Sequence, residues 1–408
     1  MDRILATHTG SLTRPPELLA FLAARDRGDS YDEAAYAKTL QDAVDDVVRR
    51  QVDAGIDIPD DGEMGKSSWI TYLYERVSGL EARPVTLEGA SMLPPSRDRQ
   101  AFPGAYAQLD ALDEAATRGS NIAPDGSQVE ERPDVNQAMS WVCTGPLTYD
   151  GTAIARDIAN FKAALEGHDV VDAFLPVVAP ASAYWLHNEY YDSEEEFVFA
   201  LADALHEEYK AIVDSGLLLQ VDDAVLMHEA DTMMSRGESY EDYRRWAELR
   251  VRALNHALEG LPEDRIRYHI CWGSWHGPHA FDPPLRDIVD LVLQVRAGVY
   301  AMEQANPRHE HEWRVWEDVQ LPDGKKLIPG VVTHHTNVVE HPDLVAQRLV
   351  RLANVVGREN VMAGTDCGFA QGAFIQRVHP EIQWAKLAAL SEGARLASRE
   401  LWGAKAAV

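Results

Sequence analysis

The chain has 408 residues, enough for one large α/β domain or two smaller ones, and its 46% apolar and 25% charged content is ordinary for a globular protein. Its formal net charge of −28 is not ordinary: such a surface repels phosphate backbones and anionic lipid, which argues against nucleic acid and membranes as partners. Three cysteines (Cys143, Cys271 and Cys367) are too few for a disulfide framework. With no apolar signal core and no apolar run able to span a bilayer, a cytoplasmic location is expected.

Taken in chain order, short apolar strands alternate with polar loops and amphipathic helices. Strands are expected at 3–8, 56–61, 139–144, 174–179, 217–222, 266–271, 298–303, 328–333 and 360–365. The clearest helix runs from about 194 to 214. Ser193 and Glu196 have the form of a capping box, Gly216 stands past the end, and Phe197, Leu201, Ala204, Leu205, Ile212 and Val213 make the apolar stripe. Repeated βα units point to a parallel sheet, and near eight of them the expected fold is a (β/α)8 TIM barrel. A doubly wound open sheet is the alternative, but no Gly-rich phosphate loop follows the first strand. Nine candidate strands are one too many, so one lies on the surface or is misassigned. From about 83 to 135 the rhythm breaks into a stretch rich in Pro, Gly, Ser, Asp and Arg. We read it as an insertion after the second strand, serving as a lid, a small subdomain or an oligomer contact, within a single domain spanning 1–408.

Barrel enzymes carry their chemistry at the C-terminal ends of the strands. Those ends here hold Ser11, the run Asp60-Asp61-Gly62-Glu63, Gln220-Val221-Asp222-Asp223, His269-Ile270-Cys271, Glu303, His334-His335 and Asp366-Cys367-Gly368. His269 and Cys271, two apart in a strand, point to one face. An isolated His-x-Cys describes a buried thiol beside a core histidine equally well. With Cys367 on the same rim and Glu303 between them, the set becomes a zinc site of two thiolates, one imidazole and one carboxylate. The competing readings are Cys367 as a packing residue and Glu303 paired with Arg308. His276, His309 and His311 read as solvated loop residues, and Cys143 as buried and inert.

The pattern His269-Ile270-Cys271 with a distant Asp366-Cys367-Gly368 resembles the zinc site of the cobalamin-independent methionine synthases, in their catalytic C-terminal barrel. Thr9-Gly10-Ser11, Asp61-Gly62-Glu63 and Gln220-Val221-Asp222-Asp223 are similar to further elements of that family. The resemblance implies that Glu63 and Asp222 hold a substrate ammonium, that Ser11 holds its carboxylate, and that His335 moves protons near the metal. It also covers short single-barrel relatives, the epoxyalkane:coenzyme M transferases, and this chain has only the catalytic half of the full-length synthases. The family's Gln-Ile-Asp-Glu element ends here in Asp222-Asp223, and the resemblance carries the reaction further than it carries the substrates. The expected activity is zinc-dependent transfer of a methyl or other alkyl group to a small thiol, homocysteine first, from a folate-type or other donor. Alternatives are epoxide opening by coenzyme M, for which Arg14 and Lys66 are the available cations, a zinc hydrolase or lyase, and a non-catalytic binding protein. A homo-oligomer stays open.

Overall fold

A computed structural model describes residues 2–26, 28–85, 95–117, 138–182, 186–375 and 377–403. Its strands are β1 (Val77–Val85), β2 (Ala138–Tyr149), β3 (Phe174–Val178), β4 (Leu186–Asn188), β5 (Leu218–Asp222), β6 (Ile266–Ile270), β7 (Val299–Met302), β8 (Lys326–Val332) and β9 (Gly364–Thr365). Six of them form a parallel sheet in the order β3-β5-β6-β7-β8-β9. Their burial explains the composition: β3 and β6 are buried at every position, as strands covered on both faces must be.

Two short segments close this sheet into a ring. Ala6 bridges Ala363 beside β9, and Thr7 bridges Ile58, both parallel. Thr7 N donates to Ala363 O (2.9 Å), Asp57 N to Ala6 O (2.9 Å) and Phe174 N to Pro59 O (3.0 Å). The expected barrel is therefore formed by eight staves, the first near residues 5–7 and the second near 57–59, followed by β3 and β5 to β9. The lumen confirms the closure. Leu5, Ile58, Phe174, Leu218, Ala301, Ile328 and Met362, one from each stave except β6, make an apolar cluster separate from the layer under the helices. From β6 comes Arg267, fully buried, with its guanidinium 3.8 Å from the Phe174 ring centroid and donating to Thr7 Oγ1 (3.1 Å) and His8 O (2.8 Å).

The ninth expected strand, 139–144, lies in β2, which pairs antiparallel with β1 and parallel with β4 in a separate three-stranded sheet. Its apolar run is local and carries no mark of which sheet it joins. The expected helix is found as Glu194–Asp214, with Ser193 Oγ accepting from Glu196 N (3.1 Å). The capping box is only half formed, because the Glu196 carboxylate reaches one residue further back, to Asp192 N (3.2 Å). No helix among the described residues is long and apolar enough to cross a membrane.

Parts of the 83–135 stretch lie outside the described residues; its described part includes two helices, Arg97–Ala101 and Pro103–Thr117. They are fastened to the loop after β6. Asp98, buried, accepts from His279 N (2.8 Å), Ala280 N (2.9 Å) and Tyr106 OH (3.1 Å). Arg97 donates to Asp231 Oδ1 (2.6 Å) and Phe281 O (3.2 Å). Asp98→Ala removes three acceptor contacts, and hydrogen exchange at the His279 and Ala280 amides is expected to rise about tenfold or more, matching a loss of about 1–3 kcal/mol.

Candidate metal centre

Because all eight staves run the same way, their C-terminal ends share one rim. His269 and Cys271 stand at the end of β6, and Cys367 follows β9. One ligand atom from each of these three buried residues lies within 4.8 Å of the others. The sulfurs of Cys271 and Cys367 are 3.9 Å apart. Two thiolates each about 2.3 Å from a tetrahedral ion stand roughly 3.8 Å apart, so the sulfur spacing fits a metal-bound pair. Both ring nitrogens of His269 are buried with no hydrogen-bond partner, a costly state that a metal bond relieves. The hydrogen bond between the two sulfurs holds Cys367 well below the ordinary thiol range and Cys271 well above it.

Glu303 lies outside this group of three. It is fully buried, and its oxygens accept from Trp272 N (3.2 Å) and Asn306 Nδ2 (2.7 Å). Burial pushes its carboxyl well above the usual range, followed by repulsion from Asp366 and Cys367. It is close enough to Cys271 and Cys367 to feel their charge, and it is tethered to the backbone of the ligand loop. Asp366 sits behind, its Oδ1 accepting from Gln304 N (2.9 Å) and Ala305 N (2.7 Å).

A cavity of about 270 Å³ opens over the three ligands, and Ser11, Glu63 and Asp222 also line it. Glu63 is held in the left-handed region (φ 58°), rare for a residue with a side chain, by the turn Asp60–Glu63. Asp60 Oδ1 accepts from Gly62 N (2.9 Å) and Asp61 Oδ1 from Glu63 N (2.9 Å). One Glu63 oxygen meets Lys66 Nζ at 3.3 Å, and the other is buried without a partner. Asp222 Oδ1 accepts from Gln220 Nε2 (2.9 Å), and burial pushes its carboxyl up to about 7. Ser11 Oγ donates to Ala370 O. The cations expected to be available are engaged. Lys66 also donates to Pro176 O, and Arg14 donates to Ala370 O (3.2 Å), Glu63 O (2.8 Å) and Lys66 O (3.0 Å).

The Cys367 loop passes directly against the first stave. A Cβ on Gly368 would stand 2.9 Å from Ser11 Cβ and 3.0 Å from Ser11 N, a space in which nothing can give way. Gly368→Ala is therefore expected to destabilise the fold by about 1–3 kcal/mol in chemical denaturation and to weaken metal binding as Cys367 is displaced.

The outer cavity is apolar and aromatic, with Trp69, Ile70, Trp275, Ile375 and His228 in its walls; none of these was singled out from the sequence. Trp275 is positioned by Tyr106 OH (3.3 Å from Nε1) and by the ring of His279, 4.4 Å between centroids. His335 is outside the lining; its ring is 4.0 Å from that of His334 and 5.6 Å from that of His279, which packs on the wall residue Trp275, and its Nε2 is buried without a partner. His309, expected to be solvated, is buried: it bridges Asp282 Oδ2 and Glu312 Oε2, at 3.0 Å each, and stacks on Trp272 at 3.9 Å. His311 is exposed, as read. Cys143 is buried in the side sheet, far along the chain from these ligands, with its Sγ 3.3 Å from Gly145 O.

An eight-staved parallel barrel with a buried His-Cys-Cys group able to hold a metal ion at its C-terminal rim, under a cavity bearing two buried carboxylates, has the site placement of a barrel enzyme. Residues 126–389 match the family model described as the cobalamin-independent synthase, catalytic domain, and the chain belongs to that family. It is similar to the methionine synthase of Thermococcus kodakarensis, with 25% identity over 96% of this chain and 93% of that protein. A shorter match, 26% identical over 53% of this chain and 59% of the relative, is to the 2-hydroxypropyl-CoM lyase of Xanthobacter autotrophicus. The B12-independent methionine synthase of Shewanella sp. W3-18-1, solved with selenomethionine, has a TM-score of 0.70 over 98% of this chain and 99% of that one. At 18% identity it speaks for the fold.

Proposed function

We propose that the protein is a zinc-dependent methyltransferase that alkylates the sulfur of homocysteine, giving methionine. The observation that carries this reading is the placing of His269, Cys271 and Cys367 in the same cavity as Glu63 and Asp222. A metal ion and an ammonium group would thus be held at two points of one small molecule. The relatives named methionine synthase support it over nearly the whole chain.

Zinc held by His269, Cys271 and Cys367 would supply the Lewis acidity that keeps the substrate sulfur a thiolate at neutral pH. Glu303 is the proposed exchangeable fourth ligand. Glu63, with one unpartnered oxygen, and Asp222 receive the ammonium, and Ser11 stands where the carboxylate would lie. Holding the thiol in this way fixes its sulfur for attack on the donor carbon. As the bond from that carbon to the leaving atom breaks, His335 gives that atom a proton. The aromatic outer cavity keeps water from the thiolate and accepts the donor's apolar part.

The second reading, thiol addition of coenzyme M to an epoxide, is favoured by the 2-hydroxypropyl-CoM lyase match. Arg14 and Lys66 are committed to carbonyl oxygens and Glu63, which leaves a sulfonate poorly served at this end and homocysteine preferred. The described part of the insertion, fastened through Asp98 and Tyr106 to the loop carrying Trp275, backs one wall of the donor chamber from outside, a supporting role within one catalytic domain. A thiol-by-donor activity matrix with zinc-loaded protein tests the assignment. Methyl transfer to homocysteine is expected, whereas thiol-independent hydrolysis would replace this reading with a hydrolase.

A further inference from the structure

Four histidines gather outside the metal group. His276, exposed as expected, and His279, buried, lie in the loop after β6, and His334, buried, and His335 follow β8. The His335 ring lies 4.0 Å from that of His334, 5.6 Å from His279 and 6.0 Å from His276. Both nitrogens of His334 and Nε2 of His335 are buried without partners, a cost that an occupied site would remove. Among the described residues, only His269, Cys271 and Cys367 stand close enough together for a metal, and these four rings are not part of that group.

Two of the four differ in role. His279 is fully committed: Nδ1 faces Asp282 Oδ2 (3.0 Å) and Nε2 faces Trp275 O (3.0 Å), so each nitrogen has an oxygen to donate to. Asp282 in turn holds His309, which also faces Glu312. Burial works against protonation of His279, but its bond to Asp282 outweighs that and raises its pKa, leaving a fixed cation behind His335. Arg377, in the cavity wall and donating to Gln371 Oε1 (3.1 Å), is the second fixed cation. His335 is pushed down to about 3 by burial and then by His279, His276 and Arg377; His276 is lowered by burial, Arg377 and His279, and His334 by burial and His335. The groups acting on these rings are cationic or become so; of the carboxylates around them, Asp282 is bound to His279 and His309, and Glu340, which accepts from Thr333 N, is paired with Lys386.

We propose that His276, His334 and His335, in the positive field of Arg377 and His279, form a subsite that receives an anionic oxygen group of the alkyl donor. The rim geometry assigns it to the donor. Ser11, Glu63 and Asp222 follow the first, second and fourth staves, whereas the histidines and Arg377 follow the fifth, seventh and eighth, the half of the rim that also carries His269, Cys271 and Cys367, so a donor group among the histidines would sit beside the metal ligands and away from Glu63 and Asp222. A thiol anchored at Glu63 and Asp222 and at the metal group would then present its sulfur toward a donor seated among the histidines. The chemistry couples binding to protons: an anion among neutral histidines under repulsion makes their charged form favourable, so it enters with a proton. That proton resides on His335 and passes to the leaving atom as the carbon–leaving-atom bond breaks with its electron pair, returning His335 to neutral. The empty site thus keeps His335 a poor acid until the donor is present.

This inference rests on the methyltransferase reading, and its test separates the two. Sulfate, dianionic across the range used, is titrated calorimetrically into the zinc-loaded full chain at pH 6 and pH 8, in buffers of different ionisation enthalpy. One saturable site with proton uptake is expected, binding about tenfold tighter at pH 6. His276→Gln, and independently Arg377→Gln, should weaken sulfate about tenfold while homocysteine affinity stays within about twofold. No saturable sulfate binding, binding unchanged in both variants, or displacement of sulfate by homocysteine overturns the subsite. Zinc and homocysteine binding retained in that case leaves the methyltransferase reading standing; loss of homocysteine binding with sulfate binding intact removes that reading instead.

Discussion

Cys367→Ser protein is expected to keep less than about a tenth of the zinc of the parent chain, which should carry about one ion per chain by metal analysis. Methyl transfer should fall by about a thousandfold or more, because without the ion the acceptor thiol is mostly protonated at neutral pH. Cys271 and His269 remain after the substitution, but with Glu303 exchanging, two lasting ligands do not hold zinc against solvent. The sulfur pair 3.9 Å apart is what makes this variant decisive, since Ser places a hard, neutral oxygen where a thiolate should stand. Cys143→Ser, in the side sheet, is the control and should leave metal content unchanged. A metal-free chain with full activity would end the account.

Glu63→Gln is expected to raise the KM for homocysteine by about a hundredfold or more, the scale of removing one member of a buried charge pair. A thiol of similar length lacking the amine should change by less than about threefold, since it never placed a charge against Glu63. The contrast separates a lost ammonium contact from general damage to the turn, which would affect both thiols alike. Damage is a real concern at this position, because Glu63 has φ 58° and the turn depends on Asp60 and Asp61 accepting from its backbone. Glu63→Gln keeps that backbone donor, and equal losses for both thiols would remove homocysteine as the acceptor.

The barrel was legible because each stave is a short apolar run ending in polar residues, and that pattern is local. Membership of a particular sheet is not, which is why 139–144 read as a stave although Trp141, Val142 and Cys143 pair with β1 and β4. The three-ligand group was legible because two of its members are two apart on one strand and the third ends another stave on the same rim. His309 was misread as solvated because its burial depends on Asp282, which only the fold brings to it; Glu312, three residues on, was in view but says nothing alone. The outer chamber was invisible for a similar reason. Trp275 is aligned by Tyr106, 169 positions earlier, through a stretch whose composition marked it as an insertion but not where it would dock. Even there a local sign existed: Ser96 Oγ caps the helix Arg97–Ala101 by accepting from Arg99 N (3.0 Å).

The ring closes where its first stave meets β9, through Thr7, Ala363, Thr9 and Thr365. Cys367 lies just past that seam, and Cys271 is 96 residues away on the far side of β7 and β8. An ion shared by the two sulfurs is therefore also a rivet across a quarter of the chain, clasping the last stave to the fifth. Occupancy should accordingly be readable as mechanical integrity of the barrel. At a free zinc level about a thousand times the dissociation constant, the folded state gains about 4 kcal/mol, and chelation should loosen the seam before the helical shell yields.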